Sequence, residues 1–290
     1  MNKISQVDAS ELRRFSWPEM RGYWEGHSKA WSDIDFVRDP DGLGNVCHPG
    51  EPRWVNAYYS RFQRKIYGWL LCGAPPPASK SLALDVGCGA GRWCRILASR
   101  GYQTVGIDLQ PELVEQDRRR FPHIEFVRSA IQDFNSETPF DLISSVTVLQ
   151  HLPFEEQGVA VRKMRALIRE GGFVIALENI ADQGQHVFAN SILTWQRLFS
   201  SAAFKLVAVR RYDYSPFTRG IAALRRLKRI ADGRTTAVDS GNAPAHGKAH
   251  RIRDMVTWLG VKLDLPIEEV LVRCNVDIPT VHCGFLFEAT

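Results

Sequence analysis

Leu82-Ala-Leu-Asp-Val-Gly-Cys-Gly-Ala-Gly-Arg92 is the stretch on which the reading of this chain turns. Its short apolar run has the length of a buried parallel strand, and it stops at Asp85 and three glycines spaced two apart, Gly87, Gly89 and Gly91. Residues 91–100 then read as a helix. Glycine lets the backbone pass close to a ligand, and a helix start presents N–H groups with no partner inside the helix. Strand, turn and helix together therefore form a cradle. The glycines alone do not say what lies in it.

Two carboxylates narrow the choice. Gln103-Thr-Val-Gly-Ile-Asp108 is a second apolar segment. It ends about twenty residues after the loop in an acid that can accept the hydroxyls of a ribose. A dinucleotide site would show G-x-G-x-x-G, with a pyrophosphate on the helix start. Here the pattern is D-x-G-x-G-x-G, and Asp85 would repel a pyrophosphate but suits a ligand carrying an ammonium and a sulfonium. On these residues the sequence resembles the class I S-adenosylmethionine-dependent methyltransferases, strongly over residues 82–211 and in outline at the flanks. The resemblance implies S-adenosylmethionine as cofactor. It puts Asp85, Gly87, Cys88, Gly89 and Gly91 at its methionine end, Asp108 and Leu109 at the ribose, and Ile131, Gln132 and Asp133 at the adenine. Thr147 and Gln150 would also bind the cofactor, and the Leu-x-His-Leu run of 149–152 would close the pocket beside it. Where many relatives carry an acid for the adenine amino group this chain has Ala130, so adenine recognition would fall to Ile131, Gln132 and Asp133. The plain alternative is an α/β strand–turn–helix with no ligand.

Outward from this stretch, strand and helix patterns alternate as in an α/β, doubly wound, mostly parallel sheet. Strands are expected at 82–86, 103–107, 124–128, 140–145, 173–178, 204–211 and 281–288. Helices are expected at 91–100, 111–120, 155–169 and 190–203, with Gly171-Gly172 as a helix break. The family implies seven strands, the last inserted antiparallel between strands five and six. Residues 81–290 form the expected methyltransferase domain. Residues 1–80 read as an N-terminal helical cap and linker: Trp54, Tyr58, Phe62, Ile66 and Trp69 recur at helical spacing after Pro52, and Ala74-Pro-Pro-Pro-Ala78 is a stiff connector. Residues 212–280 exceed the minimal fold and read as a lid. In it a basic helix is expected over 218–230 and a loop over 231–250.

Length and composition allow this architecture. A chain of 290 residues with 44% hydrophobic and 24% charged content can bury a sizeable core as a globular protein. A net charge of +5 permits an anionic partner without requiring one. The six cysteines form no C-x-x-C pair and no regular spacing with histidine, which argues against a zinc site or a disulfide framework, so no metal is expected. No apolar run approaches the roughly 20 residues of a membrane span. The first residues lack the apolar core of a signal peptide, and a cytoplasmic location is the expectation.

Strand ends carry the chemistry, because ligands of open α/β sheets bind at the carboxyl ends of the strands. His151, in Ser145-Val-Thr-Val-Leu-Gln-His151, and Glu178, at the end of strand five, are the candidate bases or orienting groups. A histidine bonded to backbone and a polar strand end are the ordinary alternatives. Tyr58, Tyr59, His186 and Tyr214 are weaker substrate candidates. So are Arg225, Arg226 and Arg229, which could hold an anionic acceptor or an acidic lipid surface, or could simply face solvent. The post-strand-four segment lacks the [Asp/Asn/Ser]-Pro-Pro-[Tyr/Phe] signature tied to planar amines in related families, and no RNA-binding module is recognisable. Both points argue against nucleic acid. The resulting expectation is a methyltransferase for a small organic or lipid-like acceptor, oxygen first and nitrogen or carbon next. An RNA or protein methyltransferase and a cofactor-binding scaffold or sensor are the rivals. Nothing in the sequence fixes an oligomeric state.

Overall fold

The structure is a computed structural model describing residues 14–26, 36, 38–43, 53–181, 186–221, 224 and 248–290, the side chains of 248–254 excepted. The ordered elements are α1 (Trp17–Gly26), α2 (Arg53–Gly73), β1 (Leu82–Val86), α3 (Arg92–Ser99), β2 (Gln103–Asp108), α4 (Pro111–Arg120), β3 (Glu125–Arg128) and β4 (Phe140–Val146). They continue with a 3-10 turn (Leu149–His151), α5 (Phe154–Leu167), β5 (Ile168–Asn179), α6 (Ile192–Ser200), β6 (Phe204–Tyr212), α7 (Lys248–Cys274) and β7 (His282–Ala289).

The strands form one sheet in the order β3-β2-β1-β4-β5-β7-β6, with β7 antiparallel to both neighbours and the other pairs parallel. This is the expected seven-stranded, doubly wound class I methyltransferase fold. Side chains alternate between the two faces, so the register across the sheet says which residues share a side. Asp85, Ser144, Ile175 and Leu286 stand in one row. On that face Tyr58, Phe62, Ile66 and Leu70 of α2, spaced four apart, pack with Trp93 and Leu97 of α3. The opposite face is closed by Val161 and Met164 of α5 and by Trp195 and Phe199 of α6. Close approach of α2 depends on Gly284, where a Cβ would stand 2.5 Å from Ile66 Cγ2.

Two local readings change. Helix α5 ends at Leu167 and β5 starts at Ile168, so Gly171 and Gly172 lie inside a strand rather than breaking a helix. The β4–β5 pairing shifts register between Phe140 and Leu142, and Gly171 takes φ +66° there, a bulge that glycine permits. The expected basic helix is seen at 216–221 and 224, and its Arg225, Arg226 and Arg229 lie outside the described residues.

The lid region also holds the 27-residue α7, which begins inside the expected loop. Pro266 inside it and exposed Met255, Trp258, Leu259, Leu263, Ile267 and Val270 blur the pattern of one buried face, so periodicity does not reveal it. What fixes α7 is polar. Asp264 accepts from the Phe217 and Thr218 N–H groups, and Glu268 accepts from those of Asp213, Tyr214 and Ser215, both acids being fully buried. Among the described residues no helix is long and apolar enough to cross a membrane.

Candidate active site

The glycine loop is built as its sequence requires. Gly87, Gly89 and Gly91 take φ of +63°, +55° and +70°, a region that disfavours other side chains, and they carry the chain from β1 into α3. Asp85 lies beneath the loop, 1% exposed. Its Oδ2 accepts from the Cys94 thiol at 3.3 Å, while its buried Oδ1 has no hydrogen-bond partner among the described residues. Burial pushes this carboxyl up to about 7, opposed by the Cys94 thiol, the charge of Arg92 and the Ser144 hydroxyl, which is its neighbour across the sheet but makes no hydrogen bond to it. An unmatched buried carboxylate oxygen is costly and is matched by a ligand that brings a cation or a donor. That fits the cationic cofactor better than any phosphate.

Asp108 secures the other side of the loop. Its Oδ2 accepts from the Gly89 N–H at 2.9 Å and its Oδ1 from the Gln110 N–H at 3.0 Å, tying the glycine loop to the start of α4. Burial raises this carboxyl too. A carboxylate has about four lone-pair positions, so acceptor capacity remains for hydroxyls. Cys88 is buried, its N–H donating to the Ile107 carbonyl, and the Leu109 carbonyl accepts from Arg128. Ile131 is buried nearby. Gln132 donates to Glu156 at 3.1 Å, leaving its buried Oε1 without a partner among the described residues, an acceptor suited to an amino group. Asp133 is exposed and pairs with Arg21 of α1 at 3.2 Å.

Helix α1 spans from this end of the site to the next. Besides Arg21, its Trp24 ring meets His151 edge-on at 4.9 Å, and its Tyr23 ring stacks on His186 at 5.7 Å. At the end of β4, Thr147 adopts φ +57°, which is strained for a β-branched residue, and its N–H donates to the Leu177 carbonyl at 2.7 Å. Gln150 Oε1 accepts from the Asn179 N–H at 2.7 Å, which turns its amide nitrogen toward His151 Nε2, 3.3 Å away. His151 Nδ1 lies 2.8 Å from the His186 carbonyl. A carbonyl only accepts, so Nδ1 carries the proton and Nε2 the lone pair. Burial lowers the imidazole to about 4, so it is neutral at physiological pH.

Glu178 sits on the opposite face of the sheet from Asp85, as its pairing with Cys283 requires. It is fully buried, and its oxygens accept from the Leu149 N–H at 3.2 Å, the Gln150 N–H at 3.0 Å and the Ser145 hydroxyl at 3.3 Å. Burial pushes it up to about 8 against these donors. This geometry makes it a clamp under the Thr147–His151 turn.

The four remaining substrate candidates are divided. Tyr59 and His186 are partly exposed. Tyr58 is buried, with its hydroxyl 3.2 Å from Ser215 Oγ, and Tyr214 is buried, donating to the Val276 carbonyl. The sequence reading missed Arg92, which is 5% exposed and donates to Gln63 of α2 at 2.5 Å. An arginine directly after the last loop glycine was the available signal. Among the described residues no three metal-ligating side chains cluster.

Residues 83–172 match a family model described as a methyltransferase domain. Nodulation protein S of Rhizobium tropici is 34% identical over 118 residues, 39% of this chain and 50% of that protein. Trans-aconitate 2-methyltransferase of Methylobacterium nodulans is 28% identical over 137 residues, 46% of this chain and 53% of that protein. The chain thus spans about half the length of these curated relatives. Among solved structures, the (4+2)-cyclase SpnF aligns with a TM-score of 0.55 at 14% identity, covering 96% of this chain and 97% of that one. At that identity the likeness is one of fold.

Proposed function

We propose that this chain, a member of the class I S-adenosylmethionine-dependent methyltransferase family through residues 83–172, transfers a methyl group to a small organic or lipid-like acceptor. The observation that carries this reading is the unmatched Oδ1 of Asp85 beneath the glycine loop, beside the Asp108 clamp. S-adenosylmethionine, when bound, supplies a methyl group on a positively charged sulfur. Asp85 would meet the cationic methionine end, Asp108 the ribose hydroxyls, and Gln132 with Ile131 the adenine. The chain's own contribution is then largely positioning and exclusion of water. Helix α1 covers the β3–β5 part of the crevice through Arg21, Tyr23 and Trp24, which favours a compact acceptor over a folded macromolecule.

His151 is proposed to orient the acceptor beneath α1, because it is neutral and is fixed at Nδ1 by the His186 carbonyl. Glu178 is proposed to position the turn that holds His151 and does not itself meet the acceptor. Oxygen is the first acceptor atom, with nitrogen or carbon next. The name of one relative, trans-aconitate 2-methyltransferase, favours a small molecule. Calorimetry with S-adenosylmethionine tests the cofactor, and absence of binding overturns the reading. Mass spectrometry of a metabolite extract incubated with methyl-labelled cofactor tests the acceptor. Label found only in RNA or protein would overturn the small-molecule assignment, and binding with no label in any fraction would favour a scaffold or sensor. Neutralising Arg225, Arg226 and Arg229 together should weaken binding of an anionic acceptor without changing cofactor affinity. Unchanged acceptor affinity removes those residues from the site.

A further inference from the structure

At the far end of the crevice, β6 and β7 bring together a polar cluster that the roles above leave unused. His282, the first residue of β7, pairs with Asn179 of β5 on one side and Tyr212 of β6 on the other. The same register puts its side chain on the Asp85 face of the sheet, four residues nearer the carboxyl ends than Leu286 of the Asp85 row. This is the part of the crevice left over once β1 and β2 are given to the cofactor.

The cluster is ordered by direction of donation. His282 Nδ1 stands 2.9 Å from Asp213 Oδ2, and the Ser215 hydroxyl donates to Asp213 Oδ1 at 2.6 Å. That uses the one hydroxyl hydrogen of Ser215, so the Tyr58 hydroxyl, 3.2 Å away, is the donor to Ser215. Burial holds Tyr58 well above its usual range, which keeps it a donor. Asp213 thus faces two donors, and Nδ1 of His282 carries the proton. In the neutral imidazole Nε2 then bears the lone pair, and it has no hydrogen-bond partner among the described residues, in a residue that is 6% exposed.

The imidazole stacks on Tyr212 at 5.3 Å and meets Tyr59 edge-on at 6.5 Å. The turn supplying Asp213 and Ser215 is strained, with φ of +64° and +39°, and buried Glu268 of α7 holds it through three backbone N–H groups. Stored strain held by a buried clamp marks a place where side-chain direction matters.

We propose that His282 is the acid–base residue for a hydroxyl acceptor, with Asp213 as its positioning residue. The inference rests on the methyl-transfer reading. The acceptor O–H bond breaks, its proton bonds to Nε2, and the oxygen keeps the electron pair. That oxygen forms the new O–C bond as the C–S bond of the methyl donor breaks, with its electron pair left on sulfur. His151 is then the partner that faces α1, and His282 the one that takes the proton.

The first test needs neither cofactor nor acceptor. Diethyl pyrocarbonate modifies neutral imidazole nitrogens, and exposed His123 is an internal control. On the intact chain, peptide mapping should show His282 modified at a rate within about tenfold of His123. Nitrogen-15 NMR of histidine-labelled protein, assigned with His282→Gln, should show the Nδ1–H tautomer. Asp213→Asn can donate to Nδ1 and should shift His282 toward the Nε2–H tautomer and slow its modification. Failure of His282 to react in the folded wild-type protein while His123 does, or an Nε2–H tautomer, overturns the proposal.

The second test uses methyl-labelled cofactor with catechol as the hydroxyl probe and the metabolite extract as the wider pool. His282→Gln should lower label incorporation by about a hundredfold or more with cofactor affinity unchanged. Equal incorporation by the variant overturns the inference while leaving the methyltransferase reading intact. Absence of cofactor binding to the wild-type chain instead overturns the methyltransferase reading, and with it the inference.

Discussion

The two halves of the crevice treat buried carboxylates in opposite ways. In the β1–β2 half, Asp85 keeps an oxygen unmatched and Asp108 has lone pairs to spare, so charge is held ready for something else. In the β5–β7–β6 half, Glu178, Asp264 and Glu268 are met by backbone N–H groups and hydroxyls of turns they hold in place. In the proposed reading one half keeps acceptor capacity for a ligand, while the other uses it on its own turns. An unmatched carboxylate such as Asp85 should be expendable for stability and matter for ligand, a matched one such as Glu178 the reverse, and Asp108, which holds two N–H groups and keeps lone pairs, should matter for both.

The largest effect should come from Asp108→Ala. It removes the proposed ribose acceptors and frees the Gly89 and Gln110 N–H groups, so cofactor binding should weaken by roughly a hundredfold or more. Calorimetry reads it directly, and unchanged affinity would sink the ribose assignment. The comparison itself is broken or kept by the pair Asp85→Asn and Glu178→Ala. Replacing Asp85 removes a buried, half-matched acid and should leave the urea midpoint unchanged or raised while cofactor affinity falls. Removing Glu178 strands three buried donors and should cost about 2–3 kcal/mol of stability. If Glu178→Ala unfolds at the wild-type midpoint, the clamp is not one.

pH dependence sharpens the same contrast. Asp85 and Glu178 have folded values raised to about 7 and about 8. The folded state therefore holds protons that the unfolded chain has already released, and their contribution is full at acid pH and lost as pH rises through those values. His151, lowered to about 4, acts the other way, its contribution being lost as pH falls from about 6.5 toward 4. Between pH 6.5 and 8 the two acids act together, so the urea midpoint should decline with pH. Asp85→Asn should remove the share of the decline that runs up to about pH 7 and leave the share of Glu178, which continues to about 8. A wild-type midpoint flat across this window contradicts the raised values.

The sequence was most informative where the structure is local. Asp85, the loop glycines and Asp108 lie within 24 residues of one another, and their spacing pointed to the strand–turn–helix and the strand that follows it. The other half is assembled from distant pieces. Glu178 reaches back 28 and 29 residues to Gln150 and Leu149, and Glu268 reaches 53 to 55 residues to the β6 exit. Nothing in the local pattern of Val281-His-Cys-Gly284 says that His282 meets Asp213, 69 residues earlier. The rule that drew attention to Asp108 and Glu178, polar residues at strand ends, applies equally to Asp213. It did not extend to His282, because β7 runs antiparallel and offers its first residue at the ligand side. Which face of the sheet Glu178 occupies is set by its register with Cys283, which the local sequence does not carry.

The smallest effect concerns what joins the halves. Helix α1 touches the cofactor end through Arg21–Asp133 and the β4–β5 end through Trp24 on His151. Both partners of the ion pair are largely exposed, so Arg21→Ala should cost well under 1 kcal/mol of stability. Its consequence should instead be positional. With this pair gone, and only Glu25–Arg128 left as an ion pair at that end among the described residues, α1 closes less firmly over the site, and cofactor affinity should fall severalfold with a faster off-rate. Higher salt should reproduce the effect in the wild-type chain, because exposed pairs are screened. Trp24→Ala supplies the matched comparison at the other end, where lost ring contact with His151 should be insensitive to salt. If both variants change affinity with the same salt dependence, α1 is not held by two distinct contacts, and the division of the crevice does not extend to its cover.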